Sequence, residues 1–402
     1  MSRIVVVGGG QAGMQVAESL RRARFVGEIV LIAEEPWLPY QRPPLSKKFL
    51  LGEITAERLL FRPAEHYHKL NIDVRLGIAA TALDRATKQL TLSNGEQLSY
   101  SRLALTTGAR VRALPVPGAD DPRVCYLRSL SDAALIHARL ADATRIVVIG
   151  GGFIGLEVAA VARTLGKAVT VIEAQDRLMP RVVAPIVSAY YLTLHETRGV
   201  KVRQRQQVQR IESSAAALQV ITTDETHAAD LVIVGIGVMP NMELAALAGL
   251  TCAGGIVVDE FARTSDAEIV AAGDCTFHRN ILLNTSQRLE SVQNAVDQAK
   301  IAAGTLLDAP VAYAQLPWFW SDQYEVSLQM AGLSTGYDDV VVRGALDDGK
   351  FSVFYFAGER VVAVDSVNRP AEHMAARRLL AAGGTVSRAQ AADVAIDLKS
   401  LL

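Results

Sequence analysis

The chain has 402 residues, half of them apolar and 21% charged, and 41 Lys and Arg against 42 Asp and Glu leave a net charge of -1. That length predicts more than one domain with sizeable cores, and the balanced charge excludes a dedicated nucleic-acid binder, which would carry a basic excess. The three Cys (Cys125, Cys252, Cys275) lie too far apart for a disulfide framework or a metal cluster, no apolar run reaches the ~18 residues of a membrane span, and a cytoplasmic location follows.

Residues 3–7 (RIVVV) are a β-branched run of the kind buried on both faces of a parallel sheet. Met1-Ser2-Arg3 ahead of them is no secretory leader, because the run passes straight into Gly8-Gly9-Gly10-Gln11-Ala12-Gly13 and the helix MQVAESLRRA. Gly8 permits the tight turn, Gly10 lets main chain approach a pyrophosphate, and Gly13 lets helix and strand pack closely. The first amides of the helix then point at the phosphates. A second strand, EIVLIA, ends at Glu34-Glu35, where a carboxylate accepts hydrogen bonds from a ribose diol. Strand, glycines, helix, strand and acid in that order specify a dinucleotide site far better than the glycines alone.

Lys47 follows the stiff pair Pro43-Pro44, and the stretch from Tyr40 to Leu51 contains no Cys, which excludes thiol-based two-electron chemistry there. His66 and His68, at i,i+2, do not share a helix face, which argues against a metal site. Leu103-Ala104-Leu105-Thr106-Thr107-Gly108 is a further strand ending in a glycine turn, ahead of Ala109-Arg110. The dinucleotide unit then recurs. Residues 145–149 (RIVVI) lead into Gly150-Gly151-Gly152-Phe153-Ile154-Gly155, the helix LEVAAVARTLG and the strand AVTVIEA. Its acid is Glu173, followed by Ala174 and Gln175 rather than a cation for a 2′-phosphate, so NAD is favoured over NADP. Two such units imply two dinucleotides, and an FAD beside an NAD gives a hydride a destination.

Residues 231–241 (LVIVGIGVMPN) form a strand opening into a Gly/Pro loop, and residues 264–274 (TSDAEIVAAGD) put Asp274 at a strand end, within reach of a ribityl hydroxyl. Cys275 behind it reads as a small buried residue rather than a nucleophile. Glu157 is placed on the first turn of the second dinucleotide helix, where it either pairs with Lys47 or simply favours a helix N-terminus. The competing reading of Lys47 is a solvated surface lysine. Trp318 and Trp320 share one face of a strand, as site residues or as core. From Pro317 onward VSLQMAG, VVVRGAL, FSVFYFAG and RVVAVDSV alternate apolar and polar residues as an antiparallel sheet does, followed by helices near 371–382 and 388–399 about Gly383-Gly384.

The two glycine units and the strand-end Gly273-Asp274 resemble the flavoprotein reductases related to glutathione reductase. Arg42-Pro43-Pro44-Leu45-Ser46-Lys47, Gly155-Leu156-Glu157, Glu290-Ser291-Val292-Gln293-Asn294-Ala295 and Pro317-Trp318-Phe319-Trp320-Ser321-Asp322-Gln323 are similar to the oxygenase-coupled ferredoxin reductases, over residues 3–370 and more weakly beyond. The resemblance implies an α/β fold with two Rossmann-like dinucleotide-binding domains and an α+β C-terminal domain. The FAD domain is expected at 1–113 and 240–316, the NAD domain at 114–239, and the third domain at 317–402. FAD would be held by Gly8, Gly10, Ala12, Gly13, Glu34, Arg42, Lys47, Ala80, Thr107, Gly108, Arg128, Asp274 and Val292, with Trp320 against the isoalloxazine. NADH would be held by Gly150, Gly152, Phe153, Ile154, Gly155, Glu157, Glu173, Arg181 and Gly237. Lys47, Glu157 and Trp320 are the expected catalytic group.

The activity implied is hydride transfer from NADH to FAD, then single electrons to a 2Fe–2S ferredoxin that serves a cytochrome P-450 type monooxygenase or a dioxygenase. Arg62, Lys300 and Arg377 are candidate cations for transient docking of that ferredoxin, and a monomer without nucleic-acid or membrane partners is expected. No cysteine cluster exists for an iron–sulfur centre, so the cluster belongs to the partner. The alternatives are a rubredoxin or monodehydroascorbate reductase, an NADH-sensing flavoprotein like the apoptosis-inducing factors, and an NADH oxidase.

Overall fold

The computed structural model describes residues 2–401. The chain forms two compact units: residues 1–41, 57–110 and 239–317 in one, and residues 42–56, 111–238 and 318–402 in the other. This differs from the three expected domains in two ways. The segment 42–56 belongs with the second unit, because Ser46 and Lys47 both bond Glu157 there. The C-terminal region groups with that unit too, its Ser321 bonding the same carboxylate.

In the first unit, Arg3–Val7 is the centre of a five-stranded parallel sheet, with Glu28–Ala33 and Ile72–Leu76 on one side and Arg102–Leu105 and Ile269–Ala271 on the other. Successive residues of a strand point to opposite faces. Ile4 and Val6 accordingly join a core with Ile29 and Leu31, while Val5 and Val7 join a second core with Val30, Ile32 and Leu103. Burial on both faces is why the strand shows no polar alternation. The helix Gln11–Arg22 covers the first face together with Val292–Leu306, whose Ala295, Ala299, Ala302 and Ala303 keep the contact surface flat enough for close packing. Ala80 opens an antiparallel meander of Ala80–Asp84, Gln89–Leu92 and Gln97–Ser99.

The second unit repeats the arrangement. Arg145–Ile149 is the central strand of a parallel sheet, between Ala168–Ile172 and Leu231–Val234, with Lys201–Arg203 and Val124–Tyr126 at the edges. Its C-terminal region is the expected antiparallel sheet, in the order Trp318–Gln323, Val326–Gly332, Arg360–Val367, Lys350–Ala357 and Asp339–Ala345. Phe354, Phe356 and Val364 pack against Ala375, Ala376 and Leu379 of the helix Pro370–Ala381.

The last expected helix is much shorter. Ser387 and Gln390 form a reciprocal capping box and start it, but it spans only Arg388–Ala392. The buried guanidinium of Arg343, paired with Glu372 at 3.0 Å, takes the main-chain carbonyls of Asp393 and Ile396 as its own acceptors. Those carbonyls are withdrawn from helical pairing, and only a single 3-10 turn, Leu398–Leu401, follows. Among the described residues no helix is long and apolar enough to cross a membrane.

Candidate functional site

Gly8 has φ of +118°, and a Cβ there would meet the Thr106 carbonyl oxygen at 2.1 Å, so only glycine fits. Thr106 closes the turn from beneath by donating its hydroxyl to Val7 O (2.9 Å) and Gly8 O (3.1 Å). A Cβ on Gly13 would meet Gly8 O at 1.9 Å, which is how close the helix lies to the turn. Gly10, by contrast, is the N-cap of the helix, carries no side-chain cap and has nothing within 4 Å of its Cβ position. A bare helix N-terminus under open space is what a pyrophosphate requires.

Around this turn the first unit collects other expected residues. Gly273, at φ +88°, places its Cβ position 3.2 Å from Ala12 Cβ and 3.8 Å from Ala295 Cβ, so Asp274 sits beside the N-terminal ends of both helices. Gln298 Oε1 holds the Gly273 amide at 2.8 Å. Val292 is the first residue of its helix, capped by Ser291. Of the two acids after the second strand, Glu35 accepts the Tyr40 hydroxyl at 2.6 Å, and Glu34 is exposed. Thr107 exchanges hydrogen bonds with Asn241 (2.5 and 2.9 Å), which fixes the Thr107-Gly108 turn. Cys275 is fully buried, its thiol turned to the Leu105 and Ala272 carbonyls, and burial pushes its pKa up. A nucleophile needs the opposite.

The second unit holds the same device. Gly150 has φ of +108° and no room for a side chain, since its Cβ would meet Gly235 O at 2.4 Å. Gly152 is the uncapped N-cap of Phe153–Thr164 with nothing within 4 Å of its Cβ position, and a Cβ on Gly155 would meet Gly150 O at 2.1 Å. Glu173 lies at the strand end as expected, and its carboxylate braces the turn by accepting from the Gly151 amide (2.7 Å) and the Gln175 amide (2.8 Å). Arg181 comes within 3.8 Å of the Cβ position of Gly237, so these two expected residues are neighbours, and Ile154 is exposed on the helix start.

Glu157 departs from the expectation. It is the fifth residue of its helix and lies beyond the first turn, so a helix-terminal acid is not its role. Its side chain is 2% exposed, and three donors meet its two oxygens. Lys47 Nζ lies 2.8 Å from Oε2, Ser46 Oγ donates to the same oxygen at 2.5 Å, and Ser321 Oγ donates to Oε1 at 2.6 Å. The 3-10 turn Pro43–Ser46 presents Ser46 and Lys47 together, and the side chain of Lys47 is 18% exposed. Lys47 is therefore a partner of a buried acid and not a solvated lysine.

The strand Trp318–Gln323 brings its two faces to different tasks. Trp318 and Trp320 stack at 5.6 Å on one, while Phe319 meets Phe153 at 4.9 Å on the other, the face that Ser321 shares. Arg42 donates to Arg128 O at 2.7 Å in this unit, so Arg42, Lys47, Arg128 and Trp320 belong to it and not to the unit of the first glycine turn. The docking candidates all have internal partners. Arg62 pairs with Glu18 and Lys300 with Asp297, each at 3.0 Å, and Arg377 lies 4.4 Å over the Trp318 ring. Sequence reasoning missed Ser46, Ser321, Gln323 and His195. The signal present was the polar run Ser321-Asp322-Gln323 ending a strand that begins with three aromatic residues, its first and last members on one face.

Residues 2–299 match the pyridine nucleotide-disulphide oxidoreductase family, and residues 318–402 match the reductase C-terminal family. The chain is 47% identical to rhodocoxin reductase of Rhodococcus erythropolis, over 98% of this chain and 93% of that one. A solved ferredoxin reductase for the CYP199A2 system of Rhodopseudomonas palustris superposes with a TM-score of 0.97 at 41% identity, covering 100% and 99% of the two chains. The reductase in a covalent putidaredoxin reductase–putidaredoxin complex does so at 0.96 and 43%, covering 100% and 98%.

Proposed function

The chain belongs to the pyridine nucleotide-disulphide oxidoreductase family and is an FAD-dependent NADH:ferredoxin reductase, and from that premise we propose how its residues divide the work. FAD, when bound, accepts a hydride from NADH and releases its electrons singly, which a nicotinamide does not readily do. The first unit holds FAD: Gly8, Gly10, Ala12, Gly13 and the amide of Val292 at the pyrophosphate, Glu34 on the ribose, Asp274 on the ribityl chain, with Ala80, Thr107 and Gly108 lining the site. Arg42, Arg128 and Trp320 are assigned to FAD as well. The second unit holds NADH: Gly150, Gly152, Phe153, Ile154, Gly155, Glu173, Arg181 and Gly237.

Lys47 and Glu157 are the charged pair that serves hydride transfer. The ammonium favours negative charge developing at the hydride acceptor, and the carboxylate balances the ammonium when that charge is absent. No side chain need act as acid or base, because a hydride carries its own electrons. The observation that carries this division is the repetition of one device: a bare helix N-terminus beneath a glycine with nothing within 4 Å, once in each unit.

The acceptor is a 2Fe–2S ferredoxin that supplies a P-450 type monooxygenase or a ring-hydroxylating dioxygenase. Arg62, Lys300 and Arg377 dock it, the protein is a monomer, and it works in the cytoplasm. The test is stopped-flow reduction of the purified yellow protein, then cytochrome c turnover with and without added ferredoxin. NADH bleaches the flavin much faster than NADPH, and turnover requires ferredoxin. Fast bleaching without ferredoxin dependence overturns the acceptor, and a purified protein that binds no flavin overturns the assignment of the first unit.

A further inference from the structure

Behind Glu157 a line of hydrogen bonds runs through the second unit, and the chemistry of its groups sets its direction. An ionised carboxylate only accepts, so Ser321 gives its single proton to Glu157 Oε1. The Ser321 oxygen, left with lone pairs, accepts from Gln323 Nε2 at 3.3 Å. The amide is thereby oriented with Oε1 toward His195 Nε2 at 2.9 Å. An amide oxygen cannot donate, so the ring carries its proton on Nε2 and offers Nδ1 to the Tyr324 hydroxyl at 3.4 Å. Burial lowers the pKa of His195, in keeping with a neutral ring of one tautomer.

The far end is anchored. Tyr324 occupies the two-residue hairpin tip at φ +56°, a conformation most residues avoid. Arg198 holds it there, its guanidinium 4.5 Å over the Tyr324 ring and ion-paired with Glu325. Ser321, Gln323 and His195 are all fully buried, so water cannot replace a missing partner.

We infer that Ser321, Gln323 and His195 are positioning residues of the reaction: their polarised chain holds the Glu157 carboxylate so that Oε2 stays on Lys47. The inference rests on Lys47 and Glu157 being the reaction's charged pair. It makes the state of Lys47 depend on residues it does not touch.

The experiment compares wild type, Ser321→Ala, Ser321→Thr and Gln323→Glu as purified, flavin-loaded proteins. Acetylation of Lys47 by acetic anhydride is followed by mass spectrometry, with the exposed Lys48 as reference, and melting curves report the fold. Selective nitrogen-15 labelling reads the His195 tautomer. Lys47 labelling rises several-fold in Ser321→Ala and returns toward wild type in Ser321→Thr. It also rises in Gln323→Glu, where a new acceptor competes for the Ser321 proton although Ser321 is intact. His195 in wild type is protonated on Nε2. Unchanged Lys47 labelling in folded Ser321→Ala and Gln323→Glu, or a His195 protonated on Nδ1, overturns the inference. Should Ser321→Ala fail to fold, Gln323→Glu and the tautomer still decide. Wild-type bleaching by NADH is recorded separately: its absence counts against the functional reading, while labelling and tautomer judge the chain.

Discussion

Glu157 is acceptable in a buried position because a cation and two hydroxyls meet its two oxygens, and a buried charge that loses its counter-ion is costly. Lys47→Met should therefore destabilise the protein by roughly 3 kcal/mol or more, and slow flavin reduction by NADH by about 10²-fold. Denaturant melts and stopped-flow traces measure the two effects separately, and a full-speed Lys47→Met enzyme would remove the pair from the reaction. A second buried acid behaves differently. Asp365 has no cation partner among the described residues; it accepts from the Tyr355 hydroxyl, and burial raises its pKa to about 7. Between the ordinary Asp value and that pH, the folded chain keeps a proton that the unfolded chain has lost, so stability falls as pH rises through the window. The loss totals at most about 4 kcal/mol and levels off above about pH 7. Asp365→Asn should narrow the Tm difference between about pH 5 and about pH 8. An unchanged difference would show that Asp365 titrates normally.

At the level of elements, the same strand–turn–helix device appears twice with separable consequences. In Gly13→Ala the new Cβ would meet Gly8 O, and in Gly155→Ala it would meet Gly150 O. Neither carbonyl can yield without shifting the helix start. Gly13→Ala should come out of purification depleted in flavin, whereas Gly155→Ala should keep its yellow colour and show a several-fold higher KM for NADH. Absorbance after desalting and steady-state kinetics check both, and the reverse pattern would exchange the cofactor assignments. These helices were legible in the sequence because glycine spacing and β-branched runs are local signals. The end of the last helix was not, because Arg343, about fifty residues upstream, captures its carbonyls.

For the whole molecule, a net charge of -1 hides locally placed cations, and the docking candidates are each tied to an internal partner. Contact with an acidic carrier must compete with those partners and with salt. Raising ionic strength from about 0.05 to 0.5 M should increase the KM for ferredoxin several-fold while leaving NADH bleaching nearly unchanged. A salt-insensitive KM would point to an apolar contact instead.

Both glycine turns, the strand-end acids, the antiparallel C-terminal sheet and the family were readable from residues 3–367. Each rests on spacing within one supersecondary unit, where steric demand at a glycine or the period of a strand leaves little choice. The grouping of residues 42–56 with the second unit was not readable, nor was the chain from Ser321 to His195. Those depend on side chains more than a hundred positions apart meeting in a buried space, and burial is what forces every donor there to find an acceptor.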